Sequence, residues 1–229
     1  MRINKYISLT SFCSRKRTEQ LINSGRITIN TSVCQQDSQV KPGDIILIDG
    51  QPIADKKENV YIICNKPTGI TCTANPNIEG NIIDFINYPE RIFAVGRLDK
   101  ASEGLLLLTN DGNIVNDILR SENNHEKEYI VTVDKYITES FIEAMGAGVE
   151  ILNTITKPCQ VSRINDYQLR MIITEGLNRQ IRRMCKVFGF QVERLQRVRI
   201  MNIELQELSL GDWRHLGENE LRELITLLD

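Results

Sequence analysis

Residues 96–108 read GRLDKASEGLLLL, a polar loop with one aspartate, Asp99, that runs into an uncharged apolar segment. Residues 91–95 (RIFAV) precede the loop, so the pattern predicts a strand on either side of it. A loop that strands fix at both ends holds a side chain in position while leaving its tip accessible. The same pattern fits an ordinary turn in which Asp99 binds nearby backbone N–H groups. Two other segments favour a functional role: residues 127–129 (KEY) and 178–186 (NRQIRRMCK).

The composition is that of a globular protein. The chain has 229 residues, 41% of them hydrophobic and 25% charged, which fits one large domain or two unequal ones. The longest apolar runs, such as residues 45–48 and 105–108, are too short to span a bilayer. The N-terminal residues lack the apolar region of a signal peptide, so we expect a cytoplasmic protein without membrane contact.

The cysteines and histidines do not form a recognisable metal motif. Six cysteines are scattered without a Cys-x-x-Cys pair, and the two histidines, His125 and His215, are far apart in the sequence. This spacing argues against a zinc site. Disulfides are not expected in the cytosol, so most of the cysteines are expected to act as small buried hydrophobic residues. A glycine-rich phosphate loop of standard spacing is also missing. The sequence therefore predicts neither a metal nor a cofactor.

Positive charge is concentrated in two segments, although the net charge is −2. Residues 1–50 hold seven Lys and Arg against four Asp and Glu, or +3. Residues 175–200 hold seven against two, or +5, whereas residues 201–229 hold two against seven, or −5. This distribution is compatible with a nucleic-acid partner, because the acidic tail hides the basic segments in the total.

The N-terminal residues predict a compact unit of two helices and a small sheet. The helices are expected at residues 3–9 and 15–24, with Ser14 as the N-cap of the second, and strands at 26–30 and 45–48. Three cations, Arg15, Lys16 and Arg17, begin the second helix, where the helix dipole disfavours positive charge. Either they form a solvated surface or they bind phosphates; we favour phosphates.

Residues 1–53 resemble the small RNA-binding domain of ribosomal small-subunit proteins and tyrosyl-tRNA synthetases, known as the alpha-L motif. The matching positions are Leu9, 13–16, 21–22, 25–27, Asn30 and 40–44. This resemblance implies that Arg26 and Lys41 also bind RNA. One departure is Thr31, which stands after Asn30 where such domains usually have glycine, so we expect an altered turn.

Residues 54–59 are polar and predict a linker to a larger domain at 60–229. Its strands and helices do not alternate strictly, so the predicted class is α+β. A polar loop ending at Asn81 is long enough for a flexible flap. Strands are expected at 60–64, 91–95, 105–109, 127–134, 155–161, 168–174, 192–199 and 202–208. Helices are expected at 82–87, 113–120, 138–145 and 177–188, and a turn at 211–214 precedes an amphipathic final helix.

The predicted helix at 177–188 has an unusual basic face. Its cations follow the spacing i, i+3, i+4 and i+7, and they are Arg179, Arg182, Arg183 and Lys186. Like charges at this spacing repel, and the stripe contains no acid. A polyanionic partner explains the pattern. Tyr129 is either a core residue or a platform on which one base stacks.

The three motifs around Asp99, Tyr129 and Arg182 occur in the order seen in pseudouridine synthases. Together with the N-terminal unit, the chain resembles the RsuA/RluB/RluE/RluF family of rRNA pseudouridine synthases along nearly its whole length. Residues 125–129 (HEKEY) and 176–185 (GLNRQIRRMC) are most similar to the RluF branch. The resemblance implies an alpha-L domain followed by a catalytic domain with a mixed, mainly antiparallel sheet flanked by helices.

The family resemblance also implies residue roles. Asp99 attacks the ribose or the base, or stabilises the departing sugar cation, and Arg182 is its salt-bridge partner. Tyr129 stacks on the uracil, and its hydroxyl helps to remove the proton from carbon 5. The base must be extruded from folded RNA, and Arg97 either fills the gap or holds the flanking phosphate. A salt bridge within the loop is the alternative for Arg97.

The expected substrate is a uridine of large-subunit ribosomal RNA, modified by a monomer without a metal or cofactor. Small-subunit rRNA or a tRNA is the alternative substrate. A non-catalytic RNA-binding or ribosome-assembly factor is the alternative from another class. The presence of Asp99, Tyr129 and Arg182 argues against that factor, since a degenerate relative would be expected to lose at least one of them.

Overall fold

The computed structural model describes residues 1–10, 12–53 and 58–228. These residues form two compact units. The first unit combines described residues of Met1–Val60 with Tyr88–Ile92 and Thr109–Gly112. The second unit contains the other described residues. Of the predicted linker 54–59, residues 54–57 lie outside the described residues.

The N-terminal unit has the two predicted helices, α1 (Ile3–Leu9) and α2 (Arg15–Asn23). Ser14 caps α2 as predicted, because its Oγ accepts a hydrogen bond of 3.2 Å from the backbone N–H of Arg17. An antiparallel sheet in the order β2-β1-β3-β4 packs with the helices around a core of aliphatic side chains. Its strands are β1 (Ile27–Ile29), β2 (Ser32–Val33), β3 (Ile46–Ile48) and β4 (Gln51–Pro52).

The turn between β1 and β2 forms without glycine. Asn30 and Thr31 have φ angles of 48° and 77°, the double left-handed conformation of a type I′ turn. Asn30 is held there by its side chain, which donates to Asp44 Oδ1 at 2.7 Å and accepts from the N–H of Ile45 at 2.8 Å. Thr31 adopts a conformation that is strained for a β-branched residue.

The second unit contains the remaining elements. Its strands are β5 (Tyr61–Lys66), β6 (Phe93–Val95), β7 (Glu103–Thr109), β8 (Lys127–Val133), β9 (Glu150–Ile151), β10 (Thr154–Ile155), β11 (Gln160–Asn165), β12 (Gln168–Ile173), β13 (Val192–Ile200), β14 (Ile203–Glu204) and β15 (Trp213–His215). Its helices are α3 (Ile82–Ile86), α4 (Ile114–Leu119), a short 3₁₀ helix (Ser121–Asn123), α5 (Glu139–Gly146), α6 (Gln180–Val187) and α7 (Glu218–Leu228).

A mixed sheet in the order β11-β12-β8-β13-β7-β5-β15 organises this unit. Strand β13 pairs parallel with β7 and antiparallel with β8. Strands β5 and β7 are buried along their whole length, as expected for strands in the middle of a sheet that is covered on both faces. One hydrophobic cluster joins the sheet to α5 and α6, and a second joins it to α4 and α7. The predicted α+β class and mixed sheet are confirmed.

Several predicted boundaries were wrong. Residues 155–161 form no single strand, because Pro158 cannot donate to a ladder and separates β10 from β11. Residues 213–215, predicted to belong largely to a turn, form β15 and pair with β5. Helix α6 begins at Gln180 rather than at 177.

The loop that was predicted to be a flap is tied at its base. Thr71 pairs with Asn81, and its carbonyl accepts a hydrogen bond of 2.9 Å from the N–H of Ile82. Over the described residues, the helices fall short of the length and hydropathy needed to cross a membrane.

Candidate active site

A cleft of about 790 Å³ lies beside the loop that follows β6. Asp99 lies on this loop, and its side chain is about one-third exposed (32%). The N–H of Ser102 donates to the carbonyl of Asp99 at 3.0 Å, which makes the loop a tight turn. The charged residues that line the cleft are Arg97, Asp99, Lys100, Lys127, Glu175, Arg179 and Arg197, and Tyr129 supplies an aromatic ring.

Asp99 forms an ion pair with Arg179, with 3.5 Å between Asp99 Oδ2 and Arg179 Nη1. Arg179 is the N-cap residue of α6 and has a left-handed backbone with φ of 53°. Arg179 therefore does not lie on the basic helical face that the sequence predicted for it. The predicted salt bridge between Asp99 and Arg182 is not among the ion pairs of the described residues.

Arg182 instead binds the end of the loop that carries Asp99 and the first residue of β13. Its Nη1 donates to the carbonyl of Val192 at 2.9 Å. Its Nη2 donates to the carbonyl of Ala101 at 2.8 Å and to Ser102 Oγ at 3.3 Å. Burial lowers the pKa of Arg182, and the nearby Arg179 acts in the same direction while Asp99 opposes it. Arg182 thus acts on Asp99 through the turn that carries it.

Buried side-chain hydrogen bonds shape the turn that leads into α6. The Oε1 atom of Gln180 accepts from the N–H of Leu177 at 3.1 Å. Its Nε2 atom donates to Glu175 Oε1 at 2.7 Å. These bonds fix the chain just before and just after Arg179, and so they position the guanidinium that meets Asp99. Gly176 lies inside this turn.

Tyr129 lies on β8 at the cleft and is also part of the core, with 8% of its surface exposed. The core alternative is therefore confirmed, and the stacking of a base on Tyr129 stays a prediction. Within the described residues its hydroxyl makes no hydrogen bond. Its cross-strand partner on β13 is Arg197.

Gly104 allows β7 to lie directly against β13. Its φ is +101°, and a Cβ atom there would lie 2.2 Å from the carbonyl oxygen of Arg197. Real Cβ atoms do not approach oxygen this closely, so only glycine fits. This contact joins the strand that ends the Asp99 loop to the strand that pairs with Tyr129.

A β-bulge in β13 separates two arginines. Arg197 is opposite Tyr129 and Arg199 is opposite Glu128, so Val198 is the extra residue. Arg197 faces the cleft, whereas Arg199 turns to the other face and donates to Glu128 Oε2 at 2.8 Å and to Glu126 Oε2 at 2.8 Å. Without the bulge, residues two apart would share one face.

The burial of three cations, Lys66, Lys127 and Arg197, was not predicted from the sequence, because charged residues are rarely buried. Lys66 Nζ donates to the carbonyls of Pro67 at 2.7 Å and Ile70 at 3.0 Å, and burial lowers its pKa. Lys127 and Tyr129, two residues apart on β8, both line the cleft, a period-2 signal that could have identified Lys127.

The other predicted RNA-binding residues of the second unit differ in their surroundings. Arg97 is exposed at the rim of the cleft. Arg183 donates to the carbonyl of Asn178 at 2.9 Å and to its side-chain oxygen at 3.2 Å, so its guanidinium is partly engaged. Lys186 is exposed on α6. The predicted stripe of four cations, Arg179, Arg182, Arg183 and Lys186, is incomplete on α6, because Arg179 lies outside the helix.

In the N-terminal unit, Arg15, Lys16 and Arg17 are exposed in the first turn of α2, which holds no acidic residue. Lys41 is exposed as well. Arg26 differs, because it forms an ion pair with Asp49, and its Nε donates to Asp49 Oδ1 at 2.7 Å. This bond lowers the pKa of Asp49.

The residues at the cleft offer no recognisable metal site. Across residues 1–10, 12–53 and 58–228, no group of three or more histidine, cysteine, aspartate or glutamate side chains is arranged to hold a metal ion. What the cleft offers is two carboxylates, Asp99 and Glu175, one aromatic ring and several cations. This set suits the binding and covalent capture of an uncharged ring attached to an anionic chain.

Comparison with known proteins agrees with this chemistry. The RNA pseudouridylate synthase profile matches residues 60–186, and the S4 domain profile matches residues 1–46. The chain is 48% identical over 231 residues to "Dual-specificity RNA pseudouridine synthase RluF" of Escherichia coli strain K12, covering all of this chain and 80% of that protein.

The chain belongs to the RNA pseudouridylate synthase family.

Two further pseudouridine synthases extend the comparison. The chain is 30% identical to "Ribosomal large subunit pseudouridine synthase B" of Bacillus subtilis strain 168, covering all of this chain and 97% of that one. A crystal structure of a pseudouridylate synthase superposes with a TM-score of 0.73 at 28% identity, covering 98% of this chain and 99% of the other. The RluF branch that the motifs indicated is confirmed at the level of sequence similarity.

Proposed function

We propose that this pseudouridine synthase isomerises a specific uridine of large-subunit ribosomal RNA, with Asp99 as the nucleophile. One observation carries the assignment: the only carboxylate of the turn at residues 96–102 faces a cleft that also holds Tyr129 and a ring of cations. We propose that the chain acts as a monomer. Ribosomal RNA as substrate places the enzyme in the cytoplasm.

Asp99 has the exposure and the partner that a nucleophile needs. The ion pair with Arg179 keeps its carboxylate oriented, and Arg182 holds the turn behind it. The carboxylate then meets the extruded nucleotide during cleavage of the N1–C1′ bond. Tyr129 stacks on the uracil, and its hydroxyl relays the proton of carbon 5 to water after the ring is rejoined, taking that proton on its oxygen as its own proton leaves.

The cations outside the cleft bind the RNA backbone. Arg97 at the rim holds the phosphate beside the extruded nucleotide, or fills the gap that the base leaves. Arg183 and Lys186 continue this surface along α6, beside Arg179. In the N-terminal unit the cations are Arg15, Lys16, Arg17, Arg26 and Lys41. Of these, Arg26 contributes least, since Asp49 neutralises its charge.

We further propose that the chain has an RNA-binding domain at 1–53, a linker at 54–59 and a catalytic domain at 60–229. The S4 match ends at residue 46 and the synthase match begins at residue 60, which supports a boundary between them. In such an arrangement the first domain binds phosphates and the cleft recognises the local RNA fold.

Large-subunit rRNA is the preferred substrate because the Bacillus subtilis relative is described as a ribosomal large subunit enzyme. A second substrate class is favoured by the description of the Escherichia coli relative as a dual-specificity enzyme, and we propose a tRNA as that class. Small-subunit rRNA is the remaining alternative.

Release of tritium from carbon 5 of labelled uridine tests the proposal, because isomerisation replaces that hydrogen. The purified chain is incubated with separate transcripts of large-subunit rRNA, small-subunit rRNA and tRNA. We expect release from the large-subunit transcript and loss of release in Asp99→Asn, which keeps the shape of the side chain. Undiminished release in Asp99→Asn would show that the nucleophile is another residue. Release from the other transcripts alone would refute the substrate assignment.

A further inference from the structure

Two buried cations lie side by side in the catalytic cleft. Lys127 and Arg197 are only 8% and 3% exposed, and both line the cleft beside Tyr129. Lys127 lies two residues before Tyr129 on β8, and Arg197 is the cross-strand partner of Tyr129 on β13. The three side chains therefore lie on the same face of the sheet, where the proposed function places the uracil ring.

Neither cation has a counter-ion in the protein. Lys127 Nζ donates to the carbonyl of His125 at 3.1 Å, and Arg197 Nε donates to the carbonyl of Leu105 at 2.8 Å. Arg197 Nη2 is buried without a hydrogen-bond partner. Across the described residues, neither side chain lies within 4 Å of a carboxylate.

The carboxylates around the cleft are engaged elsewhere. Asp99 pairs with Arg179, and Glu103 pairs with Arg194 at 2.6 Å. Glu175, which also lines the cleft, accepts hydrogen bonds from Gln180 Nε2 at 2.7 Å and from the N–H of Lys157 at 3.0 Å. Burial lowers the pKa of Lys127, and the positive charge of Arg197 lowers it further.

An uncompensated pair of buried cations is unfavourable in the free protein. Such arrangements persist at functional sites where a ligand supplies the missing charge. The opposite face of the sheet shows how this protein otherwise treats buried charge: Glu128 is held between Arg170 and Arg199. The two buried cations of the cleft therefore lack a counter-ion, and we expect the ligand to supply it.

Uridine isomerisation supplies that anion at one step. When Asp99 bonds to C1′ and the N1–C1′ bond breaks, the bonding pair stays with the ring, and its negative charge spreads over N1 and the carbonyl oxygens. When C5 then bonds to C1′, the ring returns an electron pair to C1′, and the bond between C1′ and Asp99 breaks with its electron pair on the carboxylate. Water takes the C5 proton through the hydroxyl of Tyr129, and N1 takes a proton from water, which restores the neutral ring.

We propose that Lys127 and Arg197 form an anion-binding floor that holds the uracil by its oxygens and stabilises the negative charge of the detached ring. This inference rests on the proposed function, because Asp99 and Tyr129 define where the ring lies. A backbone phosphate is the other anion that RNA carries. The ring is favoured because both cations are buried next to Tyr129, whereas the cleft rim holds the exposed Arg97.

Neutral variants that keep a hydrogen-bond donor test the proposal. Lys127→Gln and Arg197→Gln remove the charge but retain an N–H that can reach the carbonyls of His125 and Leu105. The matched control is Arg170→Gln, which removes an arginine from the other face of the same sheet. The substrate is total RNA from cells lacking the gene, so that rRNA and tRNA are both present. The measurements are the single-turnover rate at saturating RNA, the dissociation constant, its salt dependence and the melting temperature.

We expect each cleft variant to lower the single-turnover rate by about 100-fold or more, as removal of an oxyanion-stabilising donor does, with less than threefold change in the dissociation constant. The melting temperature should stay the same or rise, because one of two repelling charges is gone. Arg170→Gln should keep the rate and lower the melting temperature, since it leaves Glu128 with one partner fewer.

A rate within threefold of wild type in either cleft variant would overturn the proposal. So would a fall in melting temperature like that of the control, because it would indicate a stabilising structural role. Weaker binding with a smaller salt dependence at an unchanged rate would assign the cations to a phosphate instead. A wild-type chain without activity on total RNA would overturn the proposed function itself.

Discussion

Asp99 and Arg179 form an ion pair of 3.5 Å across the cleft, and Arg182 binds the turn that carries Asp99 rather than Asp99 itself. Two arginines three residues apart thus serve one carboxylate in different ways. Arg179 contacts it from a left-handed position outside α6, and Arg182 fixes its backbone from within the helix. This division predicts different effects when each is removed.

Arg182→Ala should cost about 2–4 kcal/mol of unfolding free energy, because it leaves the carbonyls of Ala101 and Val192 without their donor. Arg179→Ala should change the unfolding free energy by less than about 1 kcal/mol, since its pair with Asp99 is half exposed. Both should slow single-turnover isomerisation. Urea unfolding measures the free energies. A larger loss for Arg179→Ala than for Arg182→Ala would contradict this assignment.

Gly104→Ala should be among the most damaging small substitutions in the chain. The added Cβ would meet the backbone of Arg197 at 2.2 Å, and neither paired strand can retreat. We expect a loss of about 3 kcal/mol or more and little soluble protein. Gly69→Ala is the control, because Gly69 also has a positive φ of +88° but nothing lies within 4 Å of its Cβ position. It should lose only about 1–2 kcal/mol from backbone strain. Equal losses for the two variants would rule out the steric explanation.

Thr31→Gly should stabilise the N-terminal unit by about 0.5–1 kcal/mol. The relief of left-handed strain at a β-branched residue outweighs the greater entropy of glycine in the unfolded chain. Asn30→Gly, in the same turn, should instead lose about 1–2 kcal/mol, because Asn30 binds both Asp44 and Ile45. Thermal unfolding followed by circular dichroism can compare them. Destabilisation by Thr31→Gly would mean that the turn is not type I′ in solution.

Glu128→Gln should lower stability in a pH-dependent way. Hydrogen bonds from Arg170 and then Arg199 lower the pKa of Glu128 in the folded protein. The carboxylate therefore contributes stability that is full above its unfolded pKa, about 4.5, and is lost as pH falls through the lower folded value. We expect a deficit of about 3 kcal/mol in Glu128→Gln at pH 7 that shrinks below pH 4. A deficit that is constant from pH 7 to pH 3 would exclude ionisation as its cause.

Most of the local structure could be predicted from the sequence, because helix capping and hydrophobic periodicity depend on residues that are close together in the chain. Ser14 and Thr138 begin helices as expected, each accepting a hydrogen bond from a backbone N–H three residues on. The strand–loop–strand arrangement around Asp99 was predicted from residues 91–108 and is present.

Tertiary relations could not be predicted in the same way. Helical spacing placed Arg179 on a basic stripe, but the buried Gln180 and Glu175 form a turn that takes Arg179 out of the helix. Lys127 and Arg197 were overlooked because their burial depends on strands that are about seventy residues apart along the chain. The strand β15 was missed because three residues with no alternation give no signal until β5 pairs with them.

The extra residue in β13 makes the cleft depend on how the strand pairs as well as on which residues it holds. Val198 has no opposing residue on β8, and it lets Arg197 and Arg199 point in opposite directions. If the strand kept Val198 but paired regularly, both guanidinium groups would lie on the same side, and either Glu128 or the cleft would lose its cation. A homologue that lacks this one residue would keep the same arrangement, because the two arginines would then be adjacent in a regular strand and would still face opposite sides.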